Sequence, residues 1–215
     1  SKVREIEDVM LTKSDIRARA VYKFFRAASV ENDLLILSSN GDDILARFQF
    51  GRQEDGEKLC ISDYIRPLSL GKDDYIGLFV TTIGPGVRDL ANDWMTKGEY
   101  LNSHVLQAIA LESAEAFAEL LHKRMRSMCG FGDPANMTIQ DVFKAKYRGS
   151  RYSFGYPACP RLEDQAQIWQ LLNPEERLGV SLTEEFMMDP EGSVSALVFH
   201  HPMAKYFSLS SSDVE

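Results

Sequence analysis

The sequence is short of cysteine, of unbroken apolar runs and of clustered positive charge. Cys60, Cys129 and Cys159 are its only cysteines, odd in number and far apart. That spacing speaks against a disulfide frame and predicts reduced thiols in a cytoplasmic setting. No Cys-x-x-Cys or Cys/His array occurs, which argues against a structural zinc site, and no metal is expected. No apolar stretch is long enough to cross a bilayer and no signal-like segment opens the sequence, so no membrane partner is expected. The formal charge is -8, from 24 Lys and Arg against 32 Asp and Glu, which argues against a nucleic-acid partner.

Catalytic signatures are equally scarce. Gly84-Pro85-Gly86 lacks the Gly-Lys-Ser/Thr ending of a phosphate loop. There is no Gly-x-Ser-x-Gly elbow. Asp42-Asp43 and Asp73-Asp74 read as turn and solvent charges. His200 and His201 are adjacent, and adjacent strand residues point to opposite faces, so they make a poor joint metal site. Cys159 reads as a small buried residue without thiolate activation.

What is present is an ordinary globular composition, 44% hydrophobic and 26% charged over 215 residues, enough for one sizeable core. Ser14-Asp15 ahead of Ile16, Val21, Phe24 and Phe25 predicts a helix over 15–28. Leu34–Leu37, the Asn40-Gly41 turn and the alternating Ile44, Ala46, Phe48 and Phe50 predict an antiparallel hairpin. The apolar run from Tyr75 to Ile83 predicts a central strand buried on both faces. From Val87 to Met128 apolar residues recur three or four apart, predicting a long buried helix with a break near Gly98. His104 and His122 lie in it without any partner pattern, and are expected at the surface or as caps. Thr138 predicts the cap of a short helix over 139–146. Further helical turns are expected over 165–172 and from Pro174, and strands over 194–199 and 205–209. Hairpins and strands with helices inserted between them predict an α+β fold with a largely antiparallel sheet.

One strip stands apart: Arg151-Tyr152-Ser153-Phe154-Gly155-Tyr156-Pro157-Ala158-Cys159-Pro160. Its prolines fix φ and remove donors, and its glycine permits a positive φ or close approach of a ligand. It reads as a stiff, irregular ribbon, either a rigid connection or a surface that faces something.

The strip is followed by Ala166, Ile168, Trp169, Leu171 and Leu172, then Leu182-Thr183-Glu184, Ser193-Val194-Ser195, His201-Pro202 and Lys205-Tyr206. Upstream stand Asp63-Tyr64-Ile65, Asp74-Tyr75-Ile76-Gly77 and Ala114-Glu115-Ala116-Phe117-Ala118-Glu119 with His122. This series, continuous from Val21 to Leu209, resembles the C-terminal activation domain of cobalamin-dependent methionine synthase. The R-x-x-x-G-Y-P-A-C-P core is highly specific to that family. The resemblance implies one activation-type domain over residues 1–215, built as a twisted, largely antiparallel sheet flanked by helices. It implies S-adenosylmethionine as the direct cofactor, contacted by Arg151, Gly155, Tyr156, Ala158, Tyr206 and Phe207, with Arg151 on the ligand carboxylate.

The implied activity is reactivation: methyl transfer from S-adenosylmethionine, coupled to one-electron reduction, restores methylcobalamin from cob(II)alamin. The implied role is positioning, with no catalytic side chain. Cobalamin is expected on another domain or chain, because no Asp-x-His-x-x-Gly motif occurs. The implied partners are the cobalamin-binding domain of methionine synthase and flavodoxin or a related flavoprotein reductase. The family often has an acidic residue six positions before the motif arginine. Ala145 stands there in this sequence, with Asp141 and Glu163 as candidate replacements. Two other readings stay open: a docking module that has shed ligand binding, and a free-standing activator of another corrinoid protein.

Overall fold

In a computed structural model, which describes residues 1–213, the first helix lies earlier than the spacing predicts. Helix α1 is Lys2–Thr12 and buries Ile6 and Met10, one turn apart. Arg19–Val30, expected as helix, is the long strand β1. Along it Phe25 and Ala27 enter one core while Ala20 and Phe24 pack against the other, the alternation of a strand. The apparent helical stripe arises because the apolar residues of α1 and β1 are close enough in sequence to merge into one periodicity.

The hairpin forms as expected, from β2 (Asp33–Leu37) and β3 (Ile44–Gln49). Strand β4 (Asp74–Thr82) follows and is buried on both faces from Ile76 onward. Helices α2 (Gly86–Thr96) and α3 (Tyr100–Met128) replace the single interrupted helix, separated around Gly98. The short α4 (Ile139–Phe143) is capped by Thr138, whose hydroxyl accepts from the Asp141 amide at 3.2 Å. Then come β5 (Ser150–Tyr152), α5 (Gln165–Leu172), α6 (Pro174–Leu178), the two-residue strands β6 (Ser181–Leu182) and β7 (Met188–Asp189), and β8 (Ser193–Phe199).

The main sheet runs β3-β2-β1-β4-β8-β5, and every pairing in it is antiparallel. Period-two alternation splits each central strand between two cores. Ile76, Leu78 and Val80 of β4 join Leu197 and Phe199 of β8 beneath Ile168 and Leu172 of α5. Phe79 joins Val194, Ala196 and Val198 beneath Leu106, Ala110, Ala114 and Met125 of α3, with α1 and α2 alongside. The fold is therefore α+β, an antiparallel sheet with helices on both faces. Among the described residues, no helix is long and apolar enough to cross a membrane, and no group of three metal-type side chains gathers.

Residues 205–209 form no strand. The sheet edge beyond β8 is already taken by β5, so this segment crosses over loops instead. Lys205 C=O accepts from the Tyr152 hydroxyl at 2.7 Å, Ser208 C=O from Gln53 Nε2 at 3.0 Å, and the Leu209 amide donates to Pro157 C=O at 2.9 Å. Gly149 sets the start of β5. It has φ of 87°, and a Cβ there would lie 2.3 Å from the Phe199 carbonyl oxygen. Only glycine lets β5 come this close to the end of β8.

Candidate functional site

The motif strip begins as strand and continues as loop. Arg151 stands opposite Val198 on β5, and alternation sends it toward α3 while its neighbour Tyr152 enters the core. Beyond Tyr152 the ribbon folds on itself. The Gly155 amide donates to Cys159 C=O at 3.0 Å, and the Cys159 amide donates to Tyr156 C=O at 2.9 Å. Gly155 takes φ of 85°, in the left-handed region, so the tight return depends on glycine. The Cys159 thiol donates to Ser153 C=O at 2.8 Å. Burial, and secondarily Asp164, pushes its pKa up to about 12, so this thiol is inert, as expected.

A groove of about 620 Å³ lies beside the strip. From α3 it receives Glu112, Glu115, Ala116 and Glu119, spaced along one helical face. Val142, Phe143, Ala145 and Tyr147 form a second wall. Arg151, Ser153, Tyr156 and Tyr206 form the third. Tyr206 lies parallel to Tyr152, with centroids 6.2 Å apart and an interplanar angle of 15°. A second hollow of about 290 Å³ shares Glu115, Ser153 and Tyr156 and extends to Gly155, Gln165 and Ser195. A separate polar hollow of about 380 Å³ near Arg52 and Arg161 does not include Arg151.

Arg151 pairs with Glu119, and its other terminal nitrogen is 3.7 Å from Glu115. Burial opposes its charge, yet Glu119, followed by Tyr147 and Glu115, holds its pKa above the ordinary value. Glu119 Oε2 also accepts from the Tyr147 hydroxyl at 3.0 Å. Its other oxygen is buried without a hydrogen bond, 3.7 Å from Nη2 of Arg126. Arg126 is 0% exposed and forks onto Asp133, with both bonds at 2.8 Å. The Arg126 hydrogen bond is the main cause that lowers the Asp133 pKa.

His122 is 0% exposed, which corrects the expectation of a surface or capping role. It shares the buried side of α3 with Ala118, Leu121 and Met125, and its ring meets the Tyr147 ring edge-on at 5.2 Å. Burial first, then the charges of Arg126 and Arg151 and the neighbouring His200, lowers its pKa to about 2. It is neutral at physiological pH.

The model of the vitamin B12-dependent methionine synthase activation domain matches residues 2–214. The chain belongs to this family. Among relatives, the methionine synthase of Mycobacterium tuberculosis (strain ATCC 25618 / H37Rv) is 39% identical over 204 residues, 89% of this chain and 17% of that protein. The methionine synthase of Mycobacterium leprae (strain TN) is 37% identical over the same length and shares. The chain thus spans about a sixth of these relatives, 17% of each. A crystal structure of the MetH reactivation domain bound to AdoHcy aligns at a TM-score of 0.89 and 33% identity, covering 96% of this chain and 65% of that one. The activation-domain fold implied by the motif strip is the fold observed.

Within this activation domain, Arg151, Tyr156 and Tyr206 meet in the groove, and Gly155 lines the adjoining hollow. Ala158 and Phe207 line neither; both are buried, Phe207 in the core against Tyr152. Ala145 does line the groove, but neither proposed acidic replacement does. Asp141 is occupied by the Thr138 cap and by Lys146 at 2.9 Å, and Glu163 faces Arg161 at 3.4 Å. The carboxylates come from α3 instead. Their one-face spacing was available in the sequence, whereas the buried partners Arg126 and Tyr147 carried no local signal.

Proposed function

We propose that the groove binds S-adenosylmethionine and presents its sulfonium methyl for reactivation of a cobalamin-dependent methionine synthase. The observation that carries this reading is the charge layout: one guanidinium, Arg151, and three carboxylates, Glu112, Glu115 and Glu119, around one groove. A ligand with a carboxylate, an ammonium and a sulfonium is matched by that layout. Arg151 offers its fork to the carboxylate. Glu112 and Glu115 face the two cationic groups. Gly155, in the adjoining hollow, borders the purine, Tyr156 and Tyr206 flank the ligand, and Ala158 and Phe207 back the site from the buried side. A MetH reactivation domain of the same fold binds AdoHcy, the demethylated form of this ligand.

The site supplies position and field, with no nucleophile of its own. The corrinoid, carried by a separate domain, would receive the methyl cation together with one electron from a flavodoxin-type reductase, leaving S-adenosylhomocysteine in the groove. Titration calorimetry with S-adenosylmethionine tests the reading. Saturable binding that disappears in Arg151→Ala is expected. Silence in the unsubstituted chain would leave only a docking role.

A further inference from the structure

Tyr147 and Arg126 have no place in the contacts proposed above, yet both converge on Glu119. The Tyr147 hydroxyl donates to the same Glu119 oxygen that receives Arg151. The opposite oxygen faces the guanidinium of Arg126 at 3.7 Å. Arg126 is itself immobilised, forked onto Asp133 at 2.8 Å twice and packed 3.6 Å from the Tyr147 ring centroid. Glu119 is therefore held from both sides, by Tyr147 in the groove wall and by Arg126 buried behind it.

We propose that Tyr147 and Arg126 are positioning residues that fix Glu119 and, through it, aim Arg151 at the carboxylate end of the groove. This rests on the nucleotide-binding reading. The physical argument is competition. A carboxylate shared only with Arg151 would satisfy that guanidinium and leave it little demand for a second anion. Dividing the Glu119 charge between two donors, Arg151 and Tyr147, and the Arg126 cation 3.7 Å away keeps Arg151 oriented but incompletely neutralised. Tyr147 suits the task because burial, and then the Glu119 charge, raises its pKa to about 12, so it stays a donor at physiological pH. Low local dielectric strengthens each bond in such a network.

Equilibrium dialysis of S-adenosylhomocysteine and of 5′-methylthioadenosine, which lacks the amino-acid end, separates positioning from general support. Tyr147→Phe should weaken S-adenosylhomocysteine about tenfold and leave methylthioadenosine within about twofold. Equal losses for both ligands, or none for either, overturn the proposal. A ligand-free arm follows the Arg151 side-chain N–H signals by ¹⁵N NMR, assigned with Arg151→Lys. They should exchange faster in Tyr147→Phe, and unchanged exchange overturns the proposal. If the unsubstituted chain binds neither nucleotide, the functional reading fails, while the NMR arm still decides whether Tyr147 holds Arg151.

Discussion

The guanidinium carbon of Arg126 lies 3.6 Å from the centroid of the Tyr147 ring, wholly out of solvent. A buried cation packed on an aromatic face and forked onto Asp133 is a stable arrangement only while every partner stays in place. Arg126→Met removes the cation but leaves Asp133 and Glu119 behind. Unfolding in urea should show a loss of about 3–5 kcal/mol. Adding Asp133→Asn should recover part of it, and a single substitution that leaves the midpoint unmoved would contradict this account.

Acid should weaken the fold through His122. Its folded pKa is lowered to about 2, while the unfolded side chain titrates at about 6.5. As pH falls below the unfolded value, the unfolded chain gains a proton that the native chain refuses. Stability should then drop by about 1.4 kcal/mol per pH unit. His200, also lowered chiefly by burial, adds to the slope. Asp133 acts only in the more acidic carboxylate range, because its folded pKa is lowered too. Denaturation series across the histidine range, with His122→Gln as the comparison, check this: the variant's slope should be shallower.

Gly149→Ala should be poorly tolerated. Its φ of 87° and the 2.3 Å approach to the Phe199 carbonyl leave no room for a methyl group. A penalty of at least about 2 kcal/mol follows, lowering Tm by about 4–8 °C. Because β5 carries Arg151, ligand binding should weaken alongside stability. Differential scanning fluorimetry with and without nucleotide reads both effects.

The helical carboxylates should discriminate by charge. Glu112→Gln with Glu115→Gln ought to weaken S-adenosylmethionine about fivefold, since partly exposed ion pairs are modest. S-adenosylhomocysteine, without the sulfonium charge, should lose less. Calorimetry at two salt concentrations measures both, and an equal loss for the two ligands would place these carboxylates away from the sulfur.

Thiol reagents should distinguish the three cysteines. Cys60 and Cys159 are buried, while Cys129 is partly exposed. Burial raises the pKa of all three. In the native chain one thiol should react slowly and two only after unfolding.

The legible parts of the fold were those with a local cause. The Asn40-Gly41 turn, the doubly buried run of β4 and the glycine between α2 and α3 each follow from nearby residues. The failures share a different cause. Arg19–Val30 reads as helix until its neighbour across the sheet is known: alternation at Phe24 and Phe25 is obscured by Ile6, Met10 and Ile16 upstream. Lys205–Leu209 has strand-like residues, but the sheet edge it would need belongs to β5. In the groove, Arg151 and Tyr156 are visible through the motif strip, and Tyr206 through the downstream Lys205-Tyr206 pair of the family resemblance. Glu119 lies 32 residues before Arg151 and Arg126 only seven before Asp133, and neither pairing has a periodicity to betray it.

The crossing of residues 205–209 over Tyr152, Gln53 and Pro157 bears on biosynthesis. A ribosome emits the N-terminal hairpin early, yet the groove wall at Tyr206 is the final contribution to the pocket. Until that portion clears the exit tunnel, the nascent domain offers its aromatic ledge at Tyr152 uncovered. The groove thus gains its last wall all at once, near the close of translation of this domain.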